Sequence, residues 1–195
     1  MAEQKKGSVL SQIRELTPAR ALTPSEARQV LDRQATRLLK LARVEGPPVP
    51  VEDVIHLLPR IVIKRAAGLP TSGRTQWAGS HWVILVASDE APVRQRFSLG
   101  HEVAHVVYHP LSDAALPGFG DVSAEQRLEQ ACEYFAACLL MPRAWVKRAY
   151  CIEGIQDVPG LARLFGVSWV AARIRLEQLG LVPRLDSPVT ARSAA

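Results

Sequence analysis

The apolar positions of this 195-residue chain change period along its length. Between residues 23 and 43, Val30, Leu31, Ala35, Leu38, Leu39 and Leu41 recur at helical spacing, behind a Thr23-Pro-Ser-Glu start that signals a helix N-terminus. Gly46-Pro-Pro-Val-Pro50 breaks that pattern, and residues 51–58 predict a short helix. Ile61-Val-Ile-Lys-Arg65 is β-rich and predicts a strand. Residues 75–78 and 82–86 flank Gly79-Ser80-His81 and predict a β-hairpin, so a three-stranded sheet follows the first helices. Trp77 and Trp82 are expected in its core. The strand near 82–86 is a candidate edge for holding an extended peptide by main-chain hydrogen bonds.

The helical period then returns. Phe97, Leu99, Val103, Ala104, Val106 and Val107 predict a mostly buried helix that stops at Pro110. Residues 123–141 predict another helix: Ser123 with Gln126 forms a capping box, Leu128, Ala131, Phe135 and Leu139 form the apolar stripe, and Pro142 ends the run. The connector 111–122 carries Pro117, Gly118 and Gly120 and is a candidate gate. Residues 158–180 predict a helix-turn-helix. Leu161, Ala162 and Phe165 pack its first helix, Gly166-Val167-Ser168 makes the turn, and Arg173 and Arg175 are placed to meet DNA or a partner. The polar residues 1–23 are expected to form a disordered arm and 183–195 a disordered tail. They bracket a main domain (24–150) and a helix-turn-helix-like subdomain (151–182). The fold class is α+β, mostly helical, with one small sheet.

The candidate chemistry sits in the first buried helix, at His101-Glu-Val-Ala-His105. Two imidazoles four residues apart share one helix face, so both reach one metal ion. Glu102 lies about 100° around the helix and reaches water beside that ion without being a ligand, the arrangement used to hydrolyse peptide bonds. Burying these three groups without partners would be costly, and a metal with its water satisfies all of them. A third ligand is required. His109 is excluded on a straight helix, because eight residues place it about 12 Å along the axis from His101. On the second helix, Glu125, Glu129 and Glu133 all remain open by spacing. Tyr134, His109, Tyr108 and His81 are candidate donors to an oxyanion.

Arg94-Gln-Arg-Phe-Ser-Leu-Gly-His-Glu-Val-Ala-His105, with Glu129-x-x-Cys-Glu-x-Phe-Ala-Ala-x-Leu-Leu-Met-Pro142, resembles the ImmA/IrrE family of metallopeptidases over about residues 25–180. The resemblance implies a zincin-like minimal metalloprotease with a C-terminal helix-turn-helix. It assigns His101, His105 and Glu129 as zinc ligands and Glu102 as general base. An acid at the offset of Glu133, where the family usually has Asn, implies a hydrogen bond to the far nitrogen of His101. Family members of this layout cleave a helix-turn-helix repressor and induce stress-response or mobile-element genes, so the implied partner is such a repressor. Histidine and carboxylate ligands also accept manganese or another divalent ion.

Composition narrows the setting. A hydrophobic share of 48% supports a packed core, and no apolar run approaches the ~18–20 residues of a membrane span, so no membrane partner is expected. The N-terminus lacks a signal-peptide centre, so a cytoplasmic location is expected. Cys132, Cys138 and Cys151 have neither disulfide nor C-x-x-C spacing. Cys138 and Cys151 are expected as small core residues, and Cys132, near the metal, as the one with a conceivable redox role. The net charge of +5 leaves DNA as a weakly supported partner. Three rival readings follow: a DNA-binding regulator with a non-catalytic zinc site, a module that sequesters a repressor uncut, and the toxin of a toxin–antitoxin pair.

Overall fold

The computed structural model describes residues 7–109 and 122–184. The connector 111–121 and the tail from 185 onward lie outside the described residues. Helix α1 (Val9–Arg14) leads to α2 (Pro24–Leu41) and α3 (Val51–His56). Strands β1 (Ile61–Ala66), β2 (Gly73–Trp77) and β3 (Trp82–Ala87) follow, then α4 (Pro92–Tyr108) and α5 (Ala124–Leu140). The short α6 (Arg143–Lys147) runs into a π-helical turn at Arg148–Ile152, and α7 (Val158–Phe165) and α8 (Trp169–Gln178) close the chain. The α+β class and the small three-stranded sheet agree with the sequence reading.

Caps set the helix starts. Thr23 and Glu26 form a reciprocal capping box on α2, and Ser123 with Gln126 does the same on α5. Helices α2, α4 and α5 then bury Leu31, Leu38, Val103, Val107, Phe135 and Leu139 against one another. Gly100 makes the α4–α5 contact close: a Cβ there would stand 3.3 Å from Ala136 Cβ and 3.4 Å from its Cα. Any side chain at 100 would push apart the two helices that carry the candidate ligands.

Three expectations need correction. The N-terminal arm is partly ordered. Ser8 caps α1, Ile13 is fully buried, and Arg14 donates from Nη2 to the carbonyls of Val106 and His109 and from Nε to that of Val107, each at 2.8 Å. The last carbonyls of a helix have no partner within it, and Arg14 supplies one for α4. Secondly, the sheet order is β1-β3-β2, with β1 parallel and β2 antiparallel to β3. The strand at 82–86 is therefore central and not an edge. Its unbroken apolar run is what a strand covered on both faces requires. The edge nearest α4 is β2, where Trp77 is 47% exposed and not in the core.

The third correction concerns α8. Helices α7 and α8 do meet through a short turn, where Gly166 is left-handed (φ 62°) and Ser168 caps α8. Arg175, however, is 0% exposed and cannot meet phosphate or base edges. It donates to Asp32 Oδ1 of α2 at 2.7 Å and to the Met141 carbonyl at 3.0 Å. Arg173 is bonded to Glu177 Oε1 at 2.7 Å and to the Pro183 carbonyl at 2.8 Å. Arg96 of α4 adds a 3.0 Å bond to the Gly166 carbonyl. The C-terminal pair is thus bound to the rest of the chain by the buried Arg175 and the half-buried Arg96. No helix among the described residues is long and apolar enough to cross a membrane.

Candidate metal centre

The period of α4 brings His101 and His105 onto one face, and their Nε2 atoms stand 3.1 Å apart. Across the close α4–α5 contact, Glu129 Oε2 lies 3.2 Å from His101 Nε2, and Glu129 Oε1 lies 3.4 Å from His105 Nε2. Among the described residues, these three side chains form the cluster able to hold a metal, with all donor atoms within 4.8 Å of one another. A tetrahedral ion with bonds of about 2.0–2.1 Å needs donors about 3.3 Å apart. The spacings fit that geometry. Burial lowers the pKa of both imidazoles, which favours the neutral form whose lone pair binds a metal. The donor set, two histidine nitrogens and a carboxylate, suits a divalent ion and leaves a position open.

Glu102 stands outside that set. Its carboxylate lies against β2, where Thr75 Oγ1 donates to Oε2 at 2.8 Å. Burial pushes its carboxyl up to about 7, against the pull of the Thr75 bond. Gly73 is two residues before Thr75 and shares its strand face. A Cβ at Gly73 would stand 3.0 Å from Glu102 Oε1 and 3.1 Å from its Cγ, so only glycine leaves room for this rotamer. We expect Gly73→Ala to displace the Glu102 carboxylate by a few tenths of an ångström. Any hydrolysis that depends on that carboxylate should fall about 10-fold or more, while metal content stays unchanged. Metal analysis beside a cleavage assay checks this.

The cleft around these groups has a volume of about 570 Å³ and is walled by β2, Trp82 and His109 as well as by the ligand candidates. His109 ends α4 and packs edge-on against Trp82, with ring centroids 4.6 Å apart. Of the candidate oxyanion donors, His109 alone lines this cleft. Tyr108 is buried with its hydroxyl donating to Gln34 Oε1 at 2.8 Å, and Tyr134 lies under Arg175, 5.4 Å from ring centroid to guanidinium carbon. His81 pairs with the neighbouring Ser80 hydroxyl. Glu133 is exposed at the cleft wall and makes no hydrogen bond to His101. Glu125 also stays outside the cluster, so geometry selects Glu129 among the three acids.

The cysteines divide differently from expectation. Cys132 is fully buried, and burial holds its thiol well above the usual range, against a redox role. Cys138 is buried with its thiol 2.9 Å from Asp32 Oδ1, as a core residue. Cys151 is exposed and is not a core residue. Thr75, Gly73 and Arg14 were not singled out from the sequence. Each acts across a long sequence separation and belongs to no local pattern.

Residues 58–177 match the Peptidase M78 family, described as the IrrE N-terminal-like domain. The chain is 32% identical over 124 residues to the radiation response metalloprotease IrrE of Deinococcus deserti, covering 61% of this chain and 44% of that protein. It is 41% identical over 66 residues to the protein of the same name from Deinococcus radiodurans, covering 32% of this chain and 20% of that one. The chain therefore spans less than half the length of these curated relatives. Among solved structures, a Mycobacterium tuberculosis transcriptional regulator shares the fold with a TM-score of 0.62 at 19% identity, over 86% of this chain and 52% of that one. With the family match running from before β1 into α8, through both candidate ligand helices, the chain belongs to the IrrE N-terminal-like family of metallopeptidases.

Proposed function

We propose that this chain is a zinc-dependent endopeptidase of the cytoplasm that cleaves a helix-turn-helix transcriptional repressor. The observation that carries the reading is a division of roles in the cleft. Three donors meet within 4.8 Å, while Glu102 is held apart by Thr75. His101, His105 and Glu129 would hold a divalent ion, which would supply Lewis acidity to a water and to a peptide carbonyl. Glu102 takes the proton of the attacking water at a carboxylate oxygen and delivers it to the leaving amine nitrogen. In the metal-free site burial raises that carboxyl to about 7, and a cation bound beside it would pull it back toward the carboxylate that accepts the proton. Thr75 fixes the carboxylate, and His109 on the cleft wall is placed to donate toward the carbonyl oxygen. The outer edge of β2, which pairs with no strand among the described residues, offers main-chain groups to an extended peptide.

The substrate class rests on two supports. The motifs resemble those of anti-repressors, and the Deinococcus relatives are named for a radiation response. The test is incubation with purified helix-turn-helix repressors from the same organism, read by intact mass with and without chelator. The reading expects two fragments summing to the repressor plus one water, and none with chelator. An intact repressor held in a stoichiometric complex would replace cleavage by sequestration.

A further inference from the structure

A second cavity adjoins the cleft. Val93 and Phe97 of α4, Tyr134 and Ala137 of α5, and Val170 and Ile174 of α8 line a space of about 510 Å³. It shares Arg94, Phe97 and Glu133 with the metal cleft, so the two spaces lie side by side against the same three residues. Beside these apolar side chains the lining carries the charged Arg28, Arg94, Glu133 and Arg184, and on α8 Val170 is 45% and Ile174 47% exposed. Beside them Trp169 is 65% exposed. The outer face of α8 is therefore apolar around its exposed positions, which suits protein side chains better than phosphates.

We propose that this groove is a specificity pocket that receives a large aliphatic or aromatic side chain of the substrate, two to four residues from the scissile bond. The proposal rests on the reading of the neighbouring cleft as a peptidase site. The separation follows from helix geometry. Phe97 and Val93 lie four and eight residues before His101, about 6 and 12 Å along α4. An extended peptide advances about 3.3 Å per residue, so that span corresponds to two to four residues. The pocket is built jointly by the metal-bearing helices and by α8, which gives the C-terminal helix pair a part in choosing the substrate.

Binding and cleavage test this separately. Fluorescein-labelled decapeptide pools carry Leu or Asp at one central position in a background of Gly, Ser, Asn and Gln. Fluorescence polarisation on the chelator-treated protein should give at least five-fold tighter binding for the Leu pool. Ile174→Glu and Val170→Glu, both at exposed positions, should abolish that difference while leaving the circular dichroism spectrum unchanged. Equal binding of the two pools, or a preference that survives both substitutions, overturns the proposal whether or not any peptide is cut. Where zinc-loaded protein cleaves the pools, cuts should lie two to four residues from Leu, and cuts at random distances count against it. Dimerisation in sedimentation velocity that Ile174→Glu abolishes would assign the groove to a second copy and also overturn it.

Discussion

Replacing Glu102 with Gln is expected to leave one metal ion bound per chain and to slow repressor cleavage by about 10²–10⁴-fold, the range a positioned general base contributes. Glutamine keeps the size of the side chain and can still accept the Thr75 hydrogen bond, but it cannot take a proton. Elemental analysis of the purified variant and a single-turnover cleavage time course read the two halves of the prediction. The same substitution should stabilise the metal-free protein, and the sign follows from the raised carboxyl. Its folded value is about 7 against an ordinary 4.5, because burial disfavours the charged form. The cost to the fold is absent below pH 4.5, grows as pH rises, and is complete above about 7. Metal-free Glu102→Gln should therefore match the wild type at pH 4.5 and exceed it at pH 8 by on the order of 2 kcal/mol in urea unfolding. Loss of metal from the variant would mean that Glu102 is itself a ligand.

Arg175→Ala is expected to cost about 3–5 kcal/mol of folding stability, the range for breaking a buried ion pair from one side. The guanidinium is wholly buried, bridges Asp32 of α2 and the Met141 carbonyl after α5, and lies over the Tyr134 ring. Removing it leaves the Asp32 carboxylate without its cation and opens a void where α8 meets the body. Set against a typical domain stability of about 5–15 kcal/mol, this is a severe loss. Changing both partners to apolar residues, Asp32→Leu with Arg175→Met, should recover much of it. Urea unfolding of Arg175→Ala and of the double variant separates this from the expectation that Arg175 reads DNA. That expectation requires near-normal stability for Arg175→Ala and a weakened, salt-dependent interaction with DNA.

The course of α8 shows why one residue misled and what would have corrected it. Ala172, Arg175 and Leu176 are all buried and fall at i, i+3 and i+4, so Arg175 sits on the apolar stripe. Charge drew attention outward where the period pointed inward. The same holds for α1, where Val9, Leu10 and Ile13 follow a Ser8 cap and mark a short amphipathic helix within a polar stretch. The central place of β3 was equally visible in Val83, Ile84, Val86 and Ala87, an apolar run that alternates too little for an edge strand. The helices with their caps, the hairpin and the H-E-x-x-H face were legible because each is encoded within a few turns of chain. Glu129 was not separable from Glu125 and Glu133 by spacing, because the choice depends on how α5 lies across α4. That placement is set by Gly100 against Ala136, a contact between distant segments. Thr75 and Gly73 were silent for the same reason: both act on Glu102 across 27 and 29 residues of intervening register, through the way β2 lies along α4.

The central claim is that His101, His105 and Glu129 converge on one cation while Glu102 remains free. Anomalous diffraction at the zinc edge, on crystals of zinc-loaded protein, tests it most directly. The account predicts a single strong peak about 2.0–2.2 Å from Nε2 of His101, Nε2 of His105 and a Glu129 oxygen, with the Glu102 carboxylate beyond bonding distance. A peak elsewhere, or an ion ligated by Glu102 with Glu129 turned away, would contradict it.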